Sequence, residues 1–295
     1  MSFLIHRTIT AGAPGTPHVS ALDRGFQLGD GVFDTMVGFG GHGFLIDRHL
    51  DRLLSHAAAI GIEIDRGTVE GAVRSVLAEA GARHAIVRTT LTRGEAARGL
   101  WPAAAGLPSL VVTAQPWSAS LVGQPARLAV SDIPRNQRSP LARIKSLGYL
   151  DNILAARQAA QAGADDALIL NLDGNAVSTT IANIFAFDGE TLVTPPLVDG
   201  CLDGVMRGLV LEEARAMGLD CREASLTSTL VARASAMFLT NSVRLVRPVS
   251  ALEGRCWAGR ALASTALADR MLSGILARIE HAAAIRLDIP PRPSP

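Results

Sequence analysis

The segment of residues 164–196 constrains the fold more than any other part of the chain. Its sequence is ADDALILNLDGNAVSTTIANIFAFDGETLVTPP, in which Asp-Gly pairs separate short apolar stretches. Such pairs are typical of tight turns between β-strands. Apolar residues recur at helical spacing on both sides of this strand-rich segment. The predicted helices cover residues 47–61, 67–82, 146–163, 204–217, 226–235 and 258–284. The sequence therefore predicts a mixed α/β (α+β) fold.

Two domains are predicted, because a stretch of small, turn-forming residues interrupts the pattern at 118–126. Residues 1–117 are predicted to form a small α+β N-terminal domain, with AIVRTTLTRG and LPSLVVTAQPW among its strands. Residues 127–287 are predicted to form a larger second domain. The Pro-rich tail, residues 288–295, has the composition of a disordered terminus.

The composition argues against several classes of protein. A net charge of +1 gives no sign of an electrostatic field that would attract nucleic acid or a membrane surface. The three cysteines form no CxxC pair, so neither a zinc site nor a disulfide framework is expected. The first residues lack the basic and apolar layout of a signal peptide. We therefore expect a cytoplasmic protein that binds neither nucleic acid nor membrane.

Lysine occurs once, at Lys145, although lysine and arginine together number 28. Arginine can replace lysine as a surface cation, but its guanidinium stays protonated and cannot act as an amine nucleophile. A lysine amine can lose its proton and form a Schiff base with a carbonyl group. We therefore hypothesise that Lys145 carries out imine chemistry. The alternative is codon drift in a GC-rich genome, which would leave a single lysine by chance.

A series of motifs, in order along the chain, resembles the fold-type IV pyridoxal-phosphate enzymes, also called class IV aminotransferases. The similarity covers roughly Asp23 to Trp257. The motifs are DRGFQLGDGVFDT, HLDRLLSHAAAIGI, LTRGEAARGLWP, IKSLGYLDNILAARQAAQAGADDALILN, NIF, TPP, DGVMRG and FLTNSVRLVRPV. The family contains branched-chain and D-amino-acid aminotransferases and aminodeoxychorismate lyase. The resemblance implies two domains with pyridoxal 5'-phosphate in the cleft between them, a β-barrel-like core in the larger domain, and a homodimer.

The resemblance also implies a role for each matching residue. Lys145 matches the lysine that holds the cofactor aldehyde and later moves the Cα proton. Tyr149, the only tyrosine, matches a tyrosine near the cofactor's phenolic oxygen. Arg52 matches the arginine that binds the phosphate group, the alternative being an ordinary solvated arginine on the polar side of a helix. Further cofactor positions are Val205 and Met206, whose backbone N–H groups meet the phosphate at a helix N-terminus, and Asn241 and Ser242 in a small polar turn.

Four positions correspond to the substrate pocket. They are Leu28, Thr35, Arg98 and Val243. Thr35 and Arg98 are similar to the aminodeoxychorismate lyase branch, in which the arginine holds a substrate carboxylate. The alternative for Arg98 is a surface-loop arginine. Leu28 stands where many relatives have an aromatic residue, so we expect an altered pocket.

Ser178 departs from the family pattern. The family has a glutamate five residues before the Asn of the N-[IL]-F motif, where it keeps the pyridine nitrogen of the cofactor protonated. Counting back from Asn183 leads to Ser178, and no acidic residue lies between Asp173 and Asp188. A hydroxyl can only hydrogen-bond to that nitrogen, so we expect the nitrogen to be largely neutral and the electron sink to be weaker. The alternative is that an acidic residue from elsewhere in the chain contacts the nitrogen.

The first functional hypothesis is a pyridoxal-phosphate-dependent aminotransferase that acts on an amino acid or related amine, with a keto acid as acceptor. The second is a lyase similar to aminodeoxychorismate lyase, which would release pyruvate. The third is a catalytically inert relative that binds the cofactor, an alternative suggested by Ser178.

Overall fold

The chain folds into two compact units in the computed structural model, which describes residues 5–9, 19–97, 99–100, 107–253, 255–256, 262–284 and 286–287. The first unit comprises Met1–Ser118 and Ile144–Gly148, and the second comprises Ala119–Arg143 and Tyr149–Pro295. The predicted fold class is confirmed: an α/β fold with a smaller first unit and a larger second one that contains a half-barrel.

The first unit is built on a five-stranded antiparallel sheet with the strand order β1-β5-β4-β2-β3. Two longer helices and one short helix accompany the sheet. In chain order, the elements are β1 (Ile5–Ile9), α1 (Arg24–Leu28), β2 (Gly31–Phe39), β3 (His42–Gly43), α2 (Ile46–Ala59), α3 (Arg66–Ala80), β4 (Ala85–Thr92) and β5 (Ser109–Pro116).

The core of the first unit lies between the sheet and helices α2 and α3. Val32 and Met36 of β2 belong to this core, together with Leu50 and Leu53 of α2. Since side chains of a strand alternate between its faces, Asp34 points from β2 into the same helix-covered side. Phe33 and Thr35 therefore occupy the opposite face of the sheet, and this division fixes the two groups of residues described below.

The second unit contains a nine-stranded mixed sheet, in which eight strands curl into a half-barrel with the order β11-β10-β9-β12-β13-β6-β7-β8, and β14 pairs with β13. Three of its strand pairs, β10–β11, β13–β6 and β6–β7, are parallel. In chain order, the elements are β6 (Ala126–Val130), α4 (Leu150–Gln161), β7 (Asp166–Leu170), β8 (Ala176–Thr179), β9 (Asn183–Asp188), β10 (Thr191–Thr194), α5 (Val205–Ala216), β11 (Cys221–Glu223), α6 (Ser228–Arg233), β12 (Ala236–Asn241), β13 (Leu245–Leu252), β14 (Arg255–Cys256) and α7 (Leu262–Ala283).

Ile144–Gly148 differs most from the sequence-based expectation. A helix was predicted over 146–163, but α4 begins only at Leu150. The preceding residues hydrogen-bond to β2: the Phe33 N–H donates to the Lys145 carbonyl at 2.9 Å, and Val32 forms an antiparallel bridge with Ser146. Each predicted domain is one continuous stretch of sequence, 1–117 or 127–287. In the structure, however, Ile144–Gly148 belongs to the first unit, although it lies within the second of these stretches. The boundaries themselves stay a prediction.

Helix α1 was not predicted, because the glycines of DRGFQLGDG suggest only a turn before a strand. Asp23 makes the helix possible, since its Oδ1 accepts a hydrogen bond of 2.7 Å from the Gly25 N–H as an N-cap. The tail 288–295 lies outside the described residues. Among the residues that are described, none of the helices is long and apolar enough to cross a membrane.

Candidate active site

Lys145 is held through its main chain in the first unit. Its carbonyl oxygen accepts a hydrogen bond from the Phe33 N–H at 2.9 Å, and its N–H donates to His56 Nδ1 at 3.2 Å. The Nζ atom lies 4.1 Å from the centroid of the Phe33 ring. An ammonium over an aromatic face is attracted by the ring quadrupole. The side chain of Lys145 is therefore directed over the sheet face that carries Phe33.

A second cation lies over the same ring. The Arg88 guanidinium carbon is 3.8 Å from the Phe33 ring centroid, and Arg88 is the cross-strand partner of Thr35 in β4. The structure thus brings Thr35, a predicted substrate residue, into the cluster of Phe33, Arg88 and Lys145. Sequence reasoning missed Arg88. The alternation of AIVRTTLTRG could have indicated a polar strand face, but not which residues oppose it.

Arg52 makes a two-point ion pair on the helix-covered side of the sheet. Its Nε and Nη2 atoms lie 2.8 Å and 3.0 Å from the two carboxylate oxygens of Asp34. His49 Nδ1 is 2.6 Å from Asp34 Oδ1. The Arg52 side chain is 10 % exposed and that of Asp34 is 2 % exposed. Arg52 is therefore a buried, oriented guanidinium, which contradicts the alternative of a solvated helix arginine.

The charge of Asp34 is strongly stabilised. Burial alone would raise the pKa of its carboxyl group, but the positive charges of Arg52 and His49 and their hydrogen bonds outweigh burial and hold this pKa well below its ordinary value. The carboxylate consequently stays ionised at any physiological pH. Asp34 was also missed from the sequence, although an acid between the apolar Val32 and Met36 of one strand is a recognisable signal.

The DRGFQLGD motif organises the strands around a second carboxylate. Asp30 accepts from Arg24 Nε at 2.7 Å and from Arg93 Nε at 2.8 Å. Burial would raise the pKa of Asp30, but the hydrogen bonds from Arg93 and Arg24 lower it below its ordinary value. Arg24 also donates to the carbonyl oxygens of Gly99 and Leu100. Residues of this motif therefore hydrogen-bond to the chain on both sides of position 98, to Arg93 on one side and to Gly99 and Leu100 on the other.

Arg98 itself lies outside the described residues. Leu28 closes α1 and is 52 % exposed. Neither position is brought by the described structure into the cluster around Phe33, so their assignment to the substrate pocket stays a prediction.

In the second unit, the N-terminus of α5 forms an uncapped helix end. Gly204 is its N-cap residue and provides no side-chain hydrogen bond, and Val205 and Met206 follow as the first helical residues. Asn183, from the NIF motif, donates from Nδ2 to the Leu202 carbonyl oxygen at 2.8 Å. This bond fixes the chain that enters the helix. Because the first backbone N–H groups of a helix attract anions, this end suits a phosphate group.

The turn between β12 and β13 is shaped by its own asparagine. Asn241 Oδ1 accepts hydrogen bonds from the N–H groups of Val243 and Arg244 at 3.0 Å and 2.8 Å. Ser242 lies between Asn241 and Val243 in the turn. The Asn241 carboxamide thus holds the predicted cofactor and substrate positions 241–243 in one compact conformation.

Tyr149 and Ser178 belong to the second unit as well. Tyr149 is the N-cap residue of α4. Ser178 lies in β8 opposite Ile169 of β7. Strand β7 also carries the buried Asp166, whose Oδ1 accepts hydrogen bonds from the hydroxyl and the N–H of Thr180 at 2.5 Å and 3.2 Å. This carboxylate oxygen is therefore engaged with the chain that follows β8.

Comparison with known proteins decides the family. The family model described as Amino-transferase class IV matches residues 31–252, which include Lys145, Arg52 and the N-terminus of α5. The chain belongs to the class IV aminotransferases. The predicted resemblance is confirmed, and enzymes of this family depend on pyridoxal phosphate.

Three relatives illustrate the range of this family. A Methanocaldococcus jannaschii protein provisionally named branched-chain-amino-acid aminotransferase is 33% identical over 242 residues, which are 80% of this chain and 83% of that protein. The crystal structure of 4-amino-4-deoxychorismate lyase from Pseudomonas aeruginosa is 26% identical, with a TM-score of 0.81, and covers 94% of this chain and 100% of its own. A Mycobacterium tuberculosis protein, described as a hypothetical aminotransferase in its PLP-bound form, is 25% identical with a TM-score of 0.78 over 90% and 96% of the two chains.

The residues of this class IV aminotransferase suit the cofactor in chemical type. Lys145 provides an amine for an aldehyde, and Arg52 provides a planar guanidinium for phosphate oxygens. The first turn of α5 adds backbone N–H donors. An aldehyde and a phosphate dianion are the two reactive and charged groups of pyridoxal 5'-phosphate. Groups whose chemistry suits both are therefore present in this chain.

Proposed function

We propose that this protein is a pyridoxal 5'-phosphate-dependent aminotransferase that acts on an amino acid or related amine, with a keto acid as acceptor. The observation that carries the proposal is the placement of Lys145. The only amine side chain of the protein is anchored by both of its main-chain groups and directed over a sheet face shared with Thr35 and Arg88.

Lys145 has two tasks in this proposal. Its amine would bind the cofactor aldehyde, and it would also take the proton from the substrate Cα. Pyridoxal phosphate, when bound, supplies an electron sink for the charge that develops at Cα. Tyr149 would donate a hydrogen bond to the phenolic oxygen of the cofactor, as the family motif implies.

The phosphate is proposed to bind to groups that the family motifs supply. Arg52 offers its guanidinium from the first unit, and Asp34 fixes the direction of that guanidinium through a two-point ion pair. Val205 and Met206 at the start of α5, and Asn241 and Ser242 in the turn between β12 and β13, are the further proposed phosphate positions. A guanidinium fork and the N–H groups of a helix N-terminus each favour a dianionic phosphate.

The substrate is proposed to lie on the Phe33 face of the sheet. Thr35 lies there beside Arg88, whose positive charge suits a substrate carboxylate. Leu28, Arg98 and Val243 complete the proposed substrate set on the strength of the family motifs.

Ser178 is proposed to make the enzyme a slow aminotransferase. A serine hydroxyl does not stabilise a protonated pyridine nitrogen as a carboxylate does, so the charge at Cα is delocalised less. Changing Ser178→Glu is expected to raise the half-reaction rate about tenfold or more, since one pKa unit is worth about 1.4 kcal/mol. Single-turnover absorbance changes with an amino acid measure this rate.

The matched control for that experiment is Ser178→Gln, which has the size of glutamate without its charge. The glutamine variant is expected to react at the wild-type rate or more slowly. Equal rates for the wild type and both variants would show that the nitrogen's partner does not limit the reaction.

A lyase that releases pyruvate is the second candidate. Thr35 favours it, together with the structural likeness to the Pseudomonas aeruginosa lyase. Pyruvate formation from 4-amino-4-deoxychorismate, measured without any amino acceptor, separates the lyase from the aminotransferase. A protein that binds the cofactor but performs neither reaction would be the inert relative suggested by Ser178. The homodimer and the cytoplasmic location stay predictions.

A further inference from the structure

Helix α2 carries three functional side chains on one face. His49, Arg52 and His56 are spaced three and four residues apart, which places them on neighbouring turns. His49 and Arg52 contact Asp34 of β2, and His56 contacts the main chain of Lys145. The same helix therefore orients the proposed phosphate ligand and the proposed Schiff-base residue.

The His56 contact replaces a bond of the strand ladder. Val32 of β2 forms an antiparallel bridge with Ser146, so Phe33 stands opposite Lys145. Directly opposed residues of a hydrogen-bonded antiparallel pair exchange two N–H to C=O bonds. Here the Phe33 N–H donates to the Lys145 carbonyl, but the Lys145 N–H donates to His56 Nδ1. A side chain thus determines the direction of the Lys145 peptide group.

The hydrogen bond from Lys145 determines which ring nitrogen of a neutral His56 carries the proton. Because Nδ1 of His56 accepts the hydrogen bond from the Lys145 N–H, the ring proton of the neutral imidazole is on Nε2. His56 is half-buried and lies four residues after Arg52 in α2. One helix therefore carries both Arg52 and the residue that contacts the main chain of Lys145.

We propose that His56 is a positioning residue, which directs the Lys145 amine toward the cofactor aldehyde by fixing the Lys145 peptide group. This role rests on the proposed function. In the step that it assists, the Nζ lone pair attacks the aldehyde carbon, a C=N bond replaces the C=O bond, and one water molecule leaves. His56 takes no proton and touches neither reactant in this step.

The first test needs no cofactor. Amide hydrogen exchange of the peptide that contains Lys145 is compared in the wild type, His56→Leu and His56→Asn. The Oδ1 atom of asparagine can take the place of Nδ1, whereas leucine has no acceptor. Exchange at the Lys145 amide is expected to rise about three- to tenfold in His56→Leu, the range for loss of one hydrogen bond, and to stay near the wild-type rate in His56→Asn.

The second test measures the rate at which Lys145 reacts. Pyridoxal 5'-phosphate is added to cofactor-free protein, samples are reduced with borohydride, and the labelled Lys145 peptide is counted by mass spectrometry. His56→Leu is expected to react about three- to tenfold more slowly than the wild type, with His56→Asn restoring the rate. Affinity for pyridoxine 5'-phosphate, which has a hydroxymethyl group in place of the aldehyde, is expected to be equal in all three proteins.

His56→Gln is the second contrast, should the leucine variant not fold. Glutamine is as polar as asparagine but carries its acceptor one bond farther out, so it is expected to behave as leucine does. Wild-type exchange and reaction rates in His56→Leu or His56→Gln would overturn the role of His56. A wild-type protein that forms no adduct at Lys145 would overturn the proposed function instead, so that the two failures are distinguishable.

Discussion

At the scale of single residues, Asp34 explains how the side chain of a helix arginine, Arg52, takes a fixed direction. An unpaired guanidinium would turn to solvent, since long side chains carry much rotational freedom. Two hydrogen bonds to a carboxylate that is 2 % exposed remove this freedom from Arg52. His49 occupies the remaining side of the same carboxylate, so the three groups form one buried unit.

Replacing Asp34 by Asn is expected to lower the free energy of unfolding by about 3 kcal/mol at neutral pH, because Arg52 loses its buried counter-charge. The depressed pKa of Asp34 sets the pH dependence. Its contribution is fully present above the unfolded-state pKa of about 3.9 and is lost as the pH falls below that value toward the folded-state pKa.

The difference between wild type and Asp34→Asn is therefore expected to shrink by up to about 1.4 kcal/mol per pH unit below about pH 4. Denaturant unfolding at several pH values measures this difference. Asp51→Asn serves as control, since Asp51 is 68% exposed and pairs with Arg66 at the surface. If the wild type and Asp34→Asn differed in free energy of unfolding as much at pH 3 as at pH 6, this would contradict a stabilising role for the ionised carboxylate of Asp34.

At the scale of secondary-structure elements, the entry into α5 combines two sequence motifs. Asn183 of the NIF motif and Gly204 of the DGVMRG motif meet at the start of the helix. A Cβ atom on Gly204 would lie 2.0 Å from Asn183 Oδ1, so only glycine leaves room for the asparagine that binds the Leu202 carbonyl. The packing of these two motifs therefore fixes the start of α5, where no side chain caps the helix.

Gly204→Ala is expected to destabilise the protein by about 1–3 kcal/mol, as overpacking does, and to weaken cofactor binding at least severalfold. Thermal unfolding and a fluorescence titration with pyridoxal 5'-phosphate measure the two effects. Gly208→Ala is the matched control, because a Cβ atom at Gly208 of the same helix meets nothing within 4 Å. Alanine at Gly208 is expected to stabilise the helix by up to about 1 kcal/mol. Equal effects of alanine at Gly204 and at Gly208 on stability and cofactor binding would refute the proposed close packing of Gly204 against Asn183.

At the scale of the whole molecule, the sequence predicted much of the fold from local patterns. The helices at 47–61, 67–82 and 204–217 were identified because apolar spacing and terminal residues are local signals. Ile144–Gly148 could not be placed in the same way, because its partner strand β2 is more than a hundred residues away in sequence.

The candidate site also contains residues that local motifs indicate and residues that only long-range packing reveals. Lys145 and Arg52 were selected as candidates because they stand in recognisable motifs, and their roles stay predictions. Asp34, His56 and Arg88 were not, because their roles depend on which face of a strand or helix meets a distant element. A polar residue in an amphipathic pattern predicts exposure on average, and only the packing of α2 against β2 shows that these side chains have partners.

The most direct measurement is borohydride trapping of the cofactor by the wild-type protein and by Lys145→Arg. Protein mixed with pyridoxal 5'-phosphate is reduced and digested, and its peptides are analysed by mass spectrometry. We expect the wild type to show a visible absorption band and one adduct, on Lys145, and the arginine variant to show neither while keeping its fold. A wild-type protein that stays colourless, with an unmodified Lys145 peptide, would contradict the assignment of Lys145 as the residue that forms the Schiff base.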